Sequence, residues 1–267
     1  MNKTLYLYEM KKSGIMLLVF SAIILMYVVC VIWMYDPEMM KSLKQMHDSM
    51  PQVMSAAGMD VTSTTLIGFL ISYLYGFILL VFPMIFIILR SRNLLAGKVE
   101  KKNMASLLAA PVSRRIIVQT QILVIITCTA ILIIATTVFE MVFCHLWEPG
   151  ELNISQLCAI NISLFILHFF IGGFCMAISA VCNEASLATG ISGGIGAVMF
   201  LVQMIRNTQI SDTVEKFKYF TFFTLYNPGK IADNVESGII GIAVLGVLGL
   251  LFYFFTVILF EKKDLPI

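Results

Sequence analysis

Charge is what this sequence lacks. Asp, Glu, Lys and Arg make up 13% of its 267 residues, while hydrophobic residues make up 59%. Soluble domains carry about 25% charged residues, so the composition excludes a soluble globular domain and leaves an integral membrane protein. Catalytic signatures are missing as well. The chain has no G-x-x-x-x-G-K-[ST] phosphate loop, no H-E-x-x-H and no G-x-S-x-G, and its three histidines (His47, His145, His168) are scattered. Catalysis is therefore unsupported, and no residue receives a catalytic, cofactor-binding or metal-binding role. The six cysteines (Cys30, Cys128, Cys144, Cys158, Cys175, Cys182) show no CxxC spacing and lie mostly in apolar runs. They read as small buried hydrophobes rather than a disulfide framework or zinc site.

What is present is a set of long apolar runs. A membrane-crossing helix needs about 20 mainly apolar residues, and six segments qualify: about 15–35, 66–89, 116–143, 157–181, 185–205 and 239–260. The first run continues to Tyr35 with no A-x-A-type site after it, unlike a cleaved signal peptide. Twelve of the 18 basic residues fall within 1–14, 90–115 and 261–267, and Lys and Arg near span ends stay on the cytoplasmic side. The expectation is one all-α integral membrane domain over 1–267, multi-pass in the plasma membrane. Both termini are cytoplasmic, and the outer loops are 36–65, 144–156 and 206–238.

The loop after the second span stands out. Arg90, Arg92, Lys98, Lys101, Lys102, Arg114 and Arg115 face a single acid, Glu100, and a short apolar run from Met104 to Ala110 ends at Pro111. A loop both basic and locally helical suits the docking of a cytoplasmic partner. The N-terminal LYLYEMKKSG puts Leu5 and Tyr8 near one helical face, as a short interfacial helix would; an ordinary basic flank is the equal alternative. In the first outer loop Met39, Leu43, Met46, Met50 and Val53 recur at helical spacing, an apolar stripe. The alternative there is a thioether site for soft metal using Met39, Met40, Met46, His47, Met50 and Met54.

Within the spans, Pro83 predicts a kink. Glu140 reads as an interfacial acid and His168 as a hydrogen-bonded packing histidine. Ser186, Gly190 and Gly194 are four apart on one face of the fifth span, a small-residue seam for close helix packing within the subunit or across a dimer. The aromatics of 206–238 (Phe217, Tyr219, Phe220, Phe222, Phe223, Tyr226) predict a packed or interface-dipping element before the sixth span.

This layout resembles the permease subunit of ABC-2-type transporters. The most specific match is Glu100 to Arg114, EKKNMASLLAAPVSR, similar to that family's E-x-G-T-x-x-x-L-L-x-x-P-V-S-R. Glu100, Leu107, Leu108, Pro111, Val112, Ser113 and Arg114 stand at matching positions, whereas Lys102 and Asn103 replace the Gly-Thr pair. The resemblance covers essentially the whole chain. It implies that 98–110 is a coupling helix seated in a separate ABC ATPase subunit, with Glu100, Met104, Leu107, Leu108, Pro111 and Arg114 as the coupling residues. It further implies a second permease copy, as homodimer or related heterodimer, with ATP and Mg held by the partner ATPase and no cofactor by this chain. Nucleic acid is not among the expected partners.

The function so implied is an ATP-driven exporter of a hydrophobic or amphipathic compound: a drug, an antimicrobial peptide or a lipid. The alternatives are a permease handling metal or sulfur compounds, and a non-transporting membrane scaffold or sensor subunit.

Overall fold

The computed structural model describes residues 2–36, 42, 45–56, 65–102, 104, 112–208 and 221–264. Leu107, Leu108 and Pro111 lie outside the described residues, as do Met39 and Leu43 of the stripe, Met40 of the alternative thioether set, and Phe217, Tyr219 and Phe220 of the aromatic segment. Six helices long and apolar enough to cross a membrane are present among the described residues. The first is α1 (Lys3–Trp33), followed by a short α2 (Pro51–Ala56). The second span is composite: α3 (Leu66–Leu70), a π-helical stretch Ile71–Ile78, and α4 (Leu79–Leu94). After α5 (Ala96–Glu100) come α6 (Arg114–Trp147), α7 (Ile154–Val181) and α8 (Ala185–Asn207). A 3₁₀ turn (Phe222–Leu225) and a short α9 (Pro228–Asp233) precede the last span, α10 (Val235–Glu261).

The expected separate N-terminal interfacial helix is not a separate element. It forms the first turns of α1, whose 31 residues extend about 46 Å at 1.5 Å per residue, well beyond a hydrocarbon layer of about 30 Å. Two contacts hold the overhang upright along α6. The Asn2 amide donates to Thr120 Oγ1 at 3.0 Å and the Tyr6 hydroxyl to Thr127 Oγ1 at 3.1 Å.

Several helix starts sit where the sequence supplies a capping oxygen. Thr65 caps α3, Ser113 caps α6, Asn153 caps α7 and Asn234 caps α10. Pro83 acts upstream of its own position. A proline ring displaces the carbonyl four residues earlier, here Leu79, which is where the π stretch ends and α4 begins. His168 bridges this region to α7, with Nδ1 2.9 Å from Leu164 O and Nε2 3.3 Å from Leu80 O. It is a packing histidine.

Of the six spans, α7 is the most enclosed and α8 the least. Glycines let α7 meet α10 closely: a Cβ at Gly173 would lie 2.8 Å from Gly249 O. The outer segment packs as expected, with Phe223 and Tyr226 buried and Phe222 tilted against Phe170 at 5.1 Å between ring centres. Gly241 is required beneath it, since a Cβ there would overlap the Leu225 carbonyl. The stripe of the first outer loop differs from expectation: Met46, Met50 and Val53 are exposed, and Met54 is the residue turned inward.

Candidate coupling site

Both chain ends meet at one end of the bundle. Arg114, the first residue of α6, donates from Nη1 to the Lys263 carbonyl at 3.0 Å. Lys263 Nζ in turn donates to Cys182 O, between α7 and α8, at 2.6 Å, and burial lowers the Lys263 pKa from its usual value. The clustering of Lys and Arg assigns this end to the cytoplasm.

At its centre is a side chain that sequence reasoning passed over. Glu9 is 1% exposed and holds two cations from the other side of the loop. Its Oε2 is 2.8 Å from Arg90 Nη2 at the end of α4, and its Oε1 is 2.5 Å from Lys98 Nζ in α5. Arg90 also donates to the Glu9 carbonyl at 3.0 Å. Buried charges persist only when paired and hydrogen-bonded, so this triad welds α1, α4 and α5 together. The chain turns between the two cations at Leu95 (φ −123°, ψ −74°), where the Ala96 amide donates to Ser179 Oγ and that hydroxyl to Ser91 O. One signal was available for Glu9: it is the lone acid among Lys3, Lys11 and Lys12, and it shares a buried face with Ser13, one turn on.

Glu100 is spent differently. Its Oε2 accepts from the Ala185 amide at 2.9 Å, so its carboxylate lies at the N-terminus of α8, where the helix dipole favours negative charge. Arg92 adds a second tie to α8, donating to Thr189 Oγ1 at 3.2 Å. Lys102, at the Gly position of the motif, adopts φ 55°, a left-handed conformation that glycine takes without strain. Met104 is buried in the core. Of the seven basic residues, Arg90, Arg92, Lys98 and Arg114 are consumed inside the bundle, while Lys101, Lys102 and Arg115 remain exposed.

The small-residue seam is separate from this cluster. Ser186, Gly190 and Gly194 are exposed, and a Cβ at Gly190 or Gly194 would meet nothing within 4 Å. Packing within the subunit uses the opposite face of α8, Ala188, Ser192 and Gly196, with Gly196 against Met84 of α4.

The sequence matches ABC-2 family transporter proteins over residues 7–265. The chain belongs to that family. No curated protein matches it. As an ABC-2 permease it is the membrane-spanning component of an ABC transporter rather than the ATPase, a multi-pass protein that works in a system with an ATPase partner.

Proposed function

We propose that this ABC-2 permease forms the path of an ATP-driven exporter in the plasma membrane, moved by a separate ATPase that docks on α5 and the loop to Arg114. ATP and Mg belong to that partner. The observation that carries the reading is the pair of carboxylates at the loop: Glu9 ties α5 to α1 and α4, and Glu100 ties it to α8. A push on α5 therefore moves three spans as a rigid body rather than flexing a loop. A second permease copy meets the exposed Ser186/Gly190/Gly194 face, where small side chains let backbones approach. The cargo is hydrophobic or amphipathic, in keeping with spans that carry few ionisable side chains.

Substituting Leu107 and Leu108 together by Asp places charge in the apolar docking contact. Affinity capture of the tagged permease then recovers the ATPase at roughly a tenth of the wild-type yield or less, the effect of about 1.4 kcal/mol at an interface. Undiminished capture, or no ATPase with either protein, overturns the proposal.

A further inference from the structure

Glu140 is not the interfacial acid that its place near the end of the third span implies. It is 0% exposed, and among the described residues no cation pairs with it. The Tyr75 hydroxyl lies 3.1 and 2.9 Å from its two oxygens, and Asn161 Nδ2 donates to Oε2 at 2.8 Å. Two further polar atoms of this cluster, Asn161 Oδ1 and the Tyr226 hydroxyl, are buried with no hydrogen-bond partner. An unpaired charge away from water is costly, and so is an unsatisfied acceptor. One added proton relieves both.

Protonation gives the carboxyl group an O–H donor, and the orphan acceptor is on the amide already touching it. A half-turn of the Asn161 amide brings Oδ1 to the place of Nδ2, 2.8 Å from Oε2. The amide gives up both Nδ2 bonds, the one to Oε2, which the new O–H bond replaces, and the long one to Leu157 O at 3.3 Å. The contact thus has two hydrogen-bonding states, one with Asn161 donating to a carboxylate and one with Asn161 accepting from a carboxylic acid.

A route for the proton is also present. Tyr75 lies on the π-helical stretch, an element frequent at functional sites, and lines a cavity of about 290 Å³ at the end of the bundle away from the termini. Tyr226, Arg206, Gln203 and Asn207 share that wall, a lining polar enough to hold water. On its other side Asn161 borders a groove of about 340 Å³ between α6 and α7 whose lining is mostly aliphatic and aromatic, with Thr137 and Asn161 its polar members apart from Cys158. The titratable groups facing Glu140 are Tyr75 from the second span, Tyr226 from the outer segment and Cys144 on its own helix; Arg206 and Lys230 stand on the cavity wall.

We propose that Glu140 is a proton-binding site loaded from the outer aqueous phase through this cavity. A hydronium ion in the cavity leaves water behind and forms an O–H bond on Glu140, whose charge goes from −1 to 0; Tyr75 is the gate between them. Carboxylates inside membrane spans are rare and mark ion pathways and proton relays.

The test is difference infrared spectroscopy on the full-length protein in nanodiscs, titrated from acid to alkaline buffer. The expected result is one protonated-carboxyl C=O band that disappears on alkalinisation, shifts in D2O, and is absent from Glu140→Gln. Tyr75→Phe, which removes only the hydroxyl, must shift the same band, so the assignment survives if Glu140→Gln fails to fold. No titrating band, or one unaltered in both variants, overturns the proposal. The measurement uses neither ATPase nor cargo, so its outcome is independent of the coupling reading.

Discussion

At the scale of single residues, the largest stake is Glu9. The triad holds two cations on one carboxylate, and Arg90 Nε is buried without a partner, so its charge is not balanced internally. Removing the acid leaves both cations stranded. Breaking a buried pair from one side costs about 3–5 kcal/mol, and Glu9→Gln is expected to lose stability of that order, read as a lowered thermal unfolding midpoint in nanodiscs. Lys98→Met should cost less than half as much, because it leaves Glu9 and Arg90 as a one-to-one pair with two direct contacts. Equal losses from the two variants would show that packing, and not charge balance, sets the cost. Nothing in the sequence pairs Glu9 with residues 81 and 89 positions away. Flanking lysines made it look like part of an ordinary basic flank.

Among the elements, the spans were legible because a bilayer demands about 20 apolar residues wherever the chain crosses, and that demand is local. The π stretch was not: Pro83 announced a disturbance, but the wide turn appears a full turn earlier, at Ile71–Ile78. The fifth span shows how a correct pattern can leave its partner open. Small residues recur at both 186/190/194 and 188/192/196, two positions apart and hence on opposite faces of a helix. Only burial tells them apart, with Ala188, Ser192 and Gly196 inside. Ala188→Leu is therefore expected to overpack α8 against the bundle and cost about 1–3 kcal/mol. Gly190→Leu, with no atom within 4 Å of its Cβ, leaves the unfolding midpoint unchanged and lowers the recovery of dimer in size-exclusion chromatography with light scattering. A drop in midpoint for Gly190→Leu would mean that its face already packs within the subunit.

For the molecule as a whole, the two ends are built differently. At the cytoplasmic end, polar ties run from α1 to α6, from α1 to α4 and α5, from α5 to α8, and from α6 through the C-terminus to the α7–α8 turn. Charge placement alone located this end, but the cross-links depend on which helices neighbour one another, and that is set by packing across the whole fold. The coupling proposed above would separate the reception of a push, by Leu107 and Leu108, from its transmission through the exposed Glu100 carboxylate, which accepts from the Ala185 amide at the start of α8. Glu100→Ala removes the oxygen that accepts from the Ala185 amide and the negative charge at that helix end, while leaving the docking residues as they are. The expected phenotype is a split: ATPase capture stays at the wild-type level, and ATP-driven transport by the reconstituted complex falls roughly fivefold or more, the lower range of coupling between distant sites. Glu100→Gln keeps an acceptor for the amide and recovers most of the transport. Loss of capture in Glu100→Ala would instead make Glu100 part of the docking surface, and rigid transmission into α8 would then rest on Arg92 and Thr189 alone.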